Sequence, residues 1–207
     1  MDDLRAYVRE AQEKGVDYIV ALRGDPPRGE TEFKPVEGGL SYANELVALL
    51  RAEFPNFGIA VAGYPEKHQE APSAEADLAN LKRKVAAGAD VVLTQLFYNN
   101  TDVFEFRKRY NDAGIDTPLV PGVLPVINLS QIKRIASLGG ATLPDAFVSR
   151  LAEKEYDADW QFNVGVEFAT EQVQQLIDAG VPGIHFYVLN KSQATAKVLE
   201  NVQYATP

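Results

Sequence analysis

Twice within its first 64 residues the chain sets an amphipathic helical pattern ahead of a short, almost unbroken apolar run, and this couple constrains the fold most. Residues 2–14 place Leu4, Val8 and Ala11 on one helical face. Gly15 then stands where a helix C-cap is expected, ahead of Tyr18-Ile19-Val20-Ala21-Leu22. Ala43, Leu46, Val47 and Leu50 repeat the spacing and lead into Gly58-Ile59-Ala60-Val61-Ala62-Gly63-Tyr64. Further apolar runs follow at 91–97, 118–120 and 183–189. An apolar run without alternation reads as a strand covered on both faces, and the helices between runs supply the crossovers that parallel pairing requires. The expectation is an α/β protein with five parallel strands and further helices near 73–87, 101–113, 129–138, 145–154, 160–179 and 191–202. No tandem repeat or low-complexity linker divides the 207 residues, so 1–207 reads as a single domain. Periodicity alone leaves an open doubly wound sheet and part of a barrel as alternatives.

Composition removes several classes of function. The net charge of −9 disfavours nucleic acid and anionic membrane as partners, because phosphate backbones need a basic footprint. The chain has no cysteine, which excludes disulfides, thiolate nucleophiles and cysteine-ligated metals. Its start is charged from Asp2 onward, and no run of about 18 apolar residues occurs, so a soluble cytoplasmic protein is expected. Dinucleotide-binding and phosphate-loop glycine patterns and the Gly-x-Ser-x-Gly elbow are all missing, and two distant histidines make no metal motif.

In parallel α/β folds the ligand lies beyond the C-terminal ends of the strands, so the residues after each apolar run are the candidates. The first run ends in Arg23-Gly24-Asp25-Pro26-Pro27, a loop whose glycine permits close backbone approach and whose Asp25 would face the site. A simple capped turn is the alternative. The second run ends in Tyr64-Pro65-Glu66-Lys67-His68, which offers an aromatic face and a histidine. Asp77, Asn80 and Lys84 then form a polar stripe at i, i+3 and i+7, flanked by Arg83. Such a stripe is either a solvated helix face or the cationic wall that a diphosphate-bearing cofactor needs. Gln95 near the end of the third run could offer one donor and one acceptor to a flat heterocycle, or be a satisfied core amide. Asn190-Lys191 closes the last run on the same rim, while His185 within it reads as structural.

Taken in order, Ala21-Leu22-Arg23-Gly24-Asp25-Pro26-Pro27, Ala62-Gly63-Tyr64-Pro65-Glu66-Lys67-His68, the segment 76–84, Thr94-Gln95, Pro121-Gly122-Val123-Leu124-Pro125 and His185-Phe186-Tyr187-Val188-Leu189-Asn190-Lys191 resemble the methylenetetrahydrofolate reductase family. The resemblance implies a (β/α)8 barrel that binds FAD and reduces 5,10-methylenetetrahydrofolate to 5-methyltetrahydrofolate with NADH or NADPH. It further implies that Arg23, Gly24, Asp25, Tyr42, Ala43, Tyr64, His68, Asp77, Asn80, Arg83 and Lys84 contact FAD. Gln95 and Lys191 would join Asp25 in contacting folate. Asp25 would also be catalytic, lying beside the flavin pyrimidine ring and favouring the cationic iminium form of the folate.

Two departures accompany the resemblance. Position 191 is Lys where the family commonly has Arg, a different geometry for planar contacts. The chain also begins at a helix that would precede the family's fourth strand, so about five of eight strands are expected, without the segment that holds the family's general-acid glutamate. Glu66 and Asp25 are the acids expected nearest the rim. A homo-oligomer is expected from the open sheet edges, and a non-catalytic flavin- or partner-binding protein is the alternative function.

Overall fold

The computed structural model describes residues 1–24, 26, 29 and 33–203. Its elements run α1 (Asp2–Glu13), β1 (Tyr18–Ala21), α2 (Ala43–Glu53), β2 (Gly58–Gly63), α3 (Ala74–Ala86), β3 (Val91–Thr94), α4 (Asn100–Asp112), β4 (Leu119–Val120), β5 (Gly122–Val123), α5 (Leu129–Gly139), α6 (Asp145–Ala152), α7 (Ala158–Asp178), β6 (His185–Phe186) and α8 (Gln193–Asn201). All strand pairs are parallel. β1 to β4 lie in sequence order in one sheet, with Tyr18 opposite Gly58 and Ala60 opposite Val91, and β5 pairs with β6 in a second. Among the described residues the strands do not close into a barrel. The helices fall where the periodicity places them.

One expected strand divides in two. The apolar run at 118–120 continues past Pro121, which has no N–H to give a ladder and so marks the step from one sheet to the other. The Pro121 carbonyl instead accepts the N–H of His185 at 2.8 Å. Buried Thr94 bridges the gap: its Oγ1 accepts the Gly122 N–H at 2.8 Å, while its carbonyl accepts the Tyr187 hydroxyl at 3.0 Å. The last strand shortens from the expected 183–189 to two residues, because only Gly122 and Val123 stand opposite it.

Side-chain caps fix the helix starts that border the strand ends. Ser73 caps α3 by accepting the Ala76 N–H at 3.2 Å, and Asn128 caps α5 by accepting that of Gln131 at 2.9 Å. Such a cap contributes about 1 kcal/mol. In α2 the Glu45 carboxylate reaches back to the N–H groups of Ser41 and Tyr42, at 2.7 and 3.2 Å, and so fixes the direction in which Tyr42 enters the helix. Val47, Leu50, Ile59, Val61, Leu81, Val92 and Phe106 fill the core between the first sheet and its helices. Separate clusters centred on Leu151 and Leu176 pack α5 to α8 against the second sheet. No helix of the described residues is long and apolar enough to cross a membrane.

Candidate functional site

Beyond the C-terminal ends of β1 and β2 lies a cleft of about 490 Å³. Nine of the residues singled out in the sequence line it together: Arg23, Tyr42, Ala43, Tyr64, His68, Asp77, Asn80, Arg83 and Lys84. Gly24 adjoins Arg23 but does not line the cleft, and Asp25 falls outside the described residues.

Asp77 and Lys84 organise its inner wall from one face of α3. The buried Asp77 carboxylate accepts the backbone N–H of His68 at 3.1 Å and thereby holds the loop after β2. His68 in turn meets the Tyr64 ring edge-on, with centroids 4.7 Å apart, and its Nδ1 accepts the Glu70 N–H at 3.1 Å. Lys84 is half-buried and donates to the Ala62 carbonyl, with its ammonium 5.8 Å from the Tyr64 centroid. Burial pushes its pKa down to about 8, against the smaller opposing pull of Asp77.

The outer wall is charged and more exposed. Arg23 pairs with Glu70 at 2.6 Å, holding that carboxyl below its usual range, and lies 4.9 Å from the Phe33 centroid. Arg83 donates to Asn80 Oδ1 at 2.8 Å, one turn earlier on α3. Among the described residues neither Arg83 nor Lys84 forms a salt bridge, so two adjacent cations remain available to an anionic ligand.

Gln95 and Lys191 lie apart from this cleft. Gln95 follows the end of β3, where its Oε1 accepts the Leu96 N–H at 2.9 Å, and it borders a narrow groove beside Gly139 and Ala141. Tyr64 is shared between that groove and the cleft. Lys191 is exposed on a separate small depression with Asn128 and Gln131. It follows a turn in which both Leu189 and Asn190 have positive φ, 46° and 61°, a conformation that costs energy for a branched residue such as Leu.

Glu66, expected near the rim, borders the Gln95 groove together with Tyr64 but does not line the main cleft. Its carboxylate accepts from the Thr142 N–H at 2.9 Å and the Thr142 hydroxyl at 2.6 Å, tying the loop after β2 to the α5–α6 connection. Sequence reasoning also missed Glu70, the partner of Arg23, and Asn44 on the cleft wall. Neither stands in a pattern that distinguishes it from ordinary surface polarity. The described residues contain no cluster of acidic and histidine side chains that could hold a metal ion.

The sequence profile described as methylenetetrahydrofolate reductase matches residues 1–203. The chain belongs to the methylenetetrahydrofolate reductase family. It is 42% identical over 192 residues to 5,10-methylenetetrahydrofolate reductase of Escherichia coli K12, covering 93% of this chain and 62% of that protein. Methylenetetrahydrofolate reductase 2 of Saccharomyces cerevisiae is 36% identical over 199 residues, covering 94% of this chain and 33% of the yeast protein. Methylenetetrahydrofolate reductase (NADH) 1 of Arabidopsis thaliana is 37% identical over 199 residues, with 91% and 33% covered. The chain thus spans about 62% of the length of the bacterial relative and a third of the other two. A solved structure of a Clostridium thermocellum protein, described as binding two copies of 5-methyl-5,6,7,8-tetrahydrofolic acid, superposes with a TM-score of 0.54 at 15% identity, covering 84% of this chain and 63% of that one. At that identity the likeness is one of fold. The parallel strands and interleaved helices are those of the family's α/β barrel, not closed among the described residues.

Proposed function

We propose that this chain supplies the flavin cleft of an enzyme that reduces 5,10-methylenetetrahydrofolate to 5-methyltetrahydrofolate with NADH or NADPH. The observation that carries the reading is the adjacency of Arg83 and Lys84, neither in a salt bridge among the described residues, next to the Tyr64 ring in a member of this family. These residues fit FAD: two cations suit a diphosphate, and the rings of Tyr42 and Tyr64 offer flat apolar surface to the rest of a dinucleotide. FAD, when bound, supplies the hydride chemistry between nicotinamide and folate.

The chain's own residues bind and orient. Asp77 keeps His68 and Tyr64 in place through the His68 N–H, and Glu70 orients Arg23. Asp25 would act electrostatically, favouring the iminium cation of the folate. Gln95 and Lys191 would hold the folate, a role in keeping with the 5-methyltetrahydrofolate named for the Clostridium protein. Residues 1–207 are read as one FAD- and folate-binding domain, and the edge of β1, unpaired among the described residues, supports a homo-oligomer. A second reading, flavin binding without folate turnover, is favoured by the separation of the Gln95 groove and the Lys191 depression from the cleft.

Titration of the 207-residue chain with FAD, followed by absorbance and fluorescence quenching, tests the cleft. The expected result is saturable binding, weakened at least tenfold by Arg83→Ala with Lys84→Met. No binding, or equal binding by the variant, overturns it. An anaerobic assay with FAD and reduced nicotinamide then separates the two readings by the appearance of 5-methyltetrahydrofolate.

A further inference from the structure

The loop after β2 touches the end of α5 as well as the flavin cleft, and across residues 68–70 its side chains divide between the two. His68 and Glu70 line the cleft, the first against Tyr64 and the second paired with Arg23. Gln69 between them reaches α5 instead, where its Nε2 donates to the carbonyls of Ser137 and Leu138 at 3.2 and 3.1 Å.

Those carbonyls stand in the last turn of a helix, where no helical N–H is left to meet them. Were α5 carried one turn further, the Leu138 carbonyl would accept the N–H of Thr142. Gly140, in the left-handed conformation at φ 73°, ends the helix instead, and the N–H groups of Gly140 and Ala141 both go to the Ala136 carbonyl. The Thr142 N–H goes to the Glu66 carboxylate at 2.9 Å. One loop therefore supplies both halves of the hydrogen bond that termination splits: Glu66 accepts from Thr142, and Gln69 donates to Leu138. Gly140 also makes room for this approach, since a Cβ there would stand 3.0 Å from Gln69 Cγ.

The helix so held borders both residues assigned to folate. Its C-terminal end, Gly139 to Ala141, walls the groove of Gln95, and a Cβ on Gly139 would lie 3.7 Å from the Gln95 amide. Its first turn, with Asn128 and Gln131, borders the depression of Lys191. Eleven residues at about 1.5 Å each make α5 a strut of roughly 16 Å between the two places.

Resting on the flavin and folate reading above, we propose that Gln69 is a positioning residue for the folate. It lines neither the cleft nor the groove, and it sets folate affinity by holding the end of α5 beside Gln95, in register with the loop that carries Tyr64 and His68. Glu66 serves the same junction but also lines the groove, so Gln69 is the side chain at which holding and direct contact separate.

Two variants test this. Gln69→Met keeps the length and removes the donor, whereas Gln69→Lys restores a donor of the sign that a helix C-terminus favours. The FAD-loaded 207-residue chain is titrated calorimetrically with 5-methyltetrahydrofolate in 0.3 M sodium chloride, which screens direct attraction between the new lysine and the folate carboxylates. Gln69→Met should weaken folate binding at least threefold and leave FAD affinity within twofold, and Gln69→Lys should return folate affinity to within twofold of the unsubstituted chain. Hydrogen exchange of the ligand-free proteins should be faster along α5 in Gln69→Met and unchanged along α3. Equal folate affinity in Gln69→Met, a parallel loss of FAD affinity, or no recovery in Gln69→Lys overturns the proposal alone. An unsubstituted chain that binds neither FAD nor the folate overturns the reading beneath it, and the proposal with it.

Discussion

Lys84 donates from its ammonium to the backbone carbonyl of Ala62, so a charged side chain of α3 is anchored on the end of β2 at the inner wall of the cleft. That burial holds its pKa near 8, whereas the unfolded chain titrates it near 10.5. Between those values the unfolded state carries a proton that the folded state lacks. Stability contributed at this position therefore rises with pH from about 8 to 10.5, and below 8 the cost of burying the charge is fully present. Lys84→Met should stabilise the ligand-free protein at pH 7, by roughly 2–3 kcal/mol at most, and flatten the rise between pH 8 and 10. Urea denaturation of both proteins at pH 7 and 9.5 measures it. Equal slopes would remove Lys84 as the source.

The same residue gives flavin binding a pH dependence of the opposite sign. A bound diphosphate favours charged Lys84, so above pH 8 binding must take up a proton and affinity falls as pH rises. Asp77→Asn removes the carboxylate that supports the ammonium and should move the fall to lower pH. FAD dissociation constants measured from pH 6.5 to 9.5 check both statements, and a midpoint unmoved by Asp77→Asn contradicts the second.

The helices were legible because each repeats an i, i+3, i+4 apolar stripe long enough to outweigh local exceptions, and α7 with Val166, Ala169, Val173 and Leu176 is the clearest case. Strand ends were less legible. The division at Pro121 follows from one missing N–H, whose consequence depends on Thr94 and His185, residues distant in sequence. Arg23, Tyr64 and His68 follow consecutive strand ends and Asp77, Asn80, Arg83 and Lys84 lie on α3, local relations that bring them into one cleft, whereas Tyr42 and Ala43, at the start of α2, were reached only through the family resemblance. The partner of Glu66 was not legible for the converse reason: its carboxylate is held by Thr142, 76 residues away, which no local spacing encodes.

Thr94 offers a test of how the two sheets are joined. Thr94→Val keeps the shape but strands the buried Gly122 N–H, and should cost about 1–3 kcal/mol. Thr94→Ser keeps the hydroxyl and should recover much of that. Chemical denaturation of the two variants measures the difference, and a loss in Thr94→Ser with none in Thr94→Val would show that the methyl group, not the hydrogen bond, secures the junction.

Gly165 in α7 sets two opposing effects against each other. Replacing a helical glycine with alanine ordinarily stabilises by about 1 kcal/mol. Here a Cβ would lie 1.6 Å from the carbonyl oxygen of Val126 and 2.7 Å from its carbon, contacts with backbone that no side-chain rotation relieves. α7 would have to withdraw from the β5–α5 connection, opening the cluster of Val126, Leu129 and Val164 and pulling Gln161 Oε1 from the Leu129 N–H that it now accepts at 2.6 Å. Steric cost wins. Gly165→Ala should lose more than about 3 kcal/mol or fail to accumulate in soluble form, whereas Gly183→Ala, with no atom within 4 Å of its new Cβ, should change stability by less than about 1 kcal/mol. Thermal denaturation of the pair decides the matter. A stable Gly165→Ala protein would mean that α7 can stand further from Val126, and with it that Asn128 and Gln131 need not be held beside Lys191 as they are here.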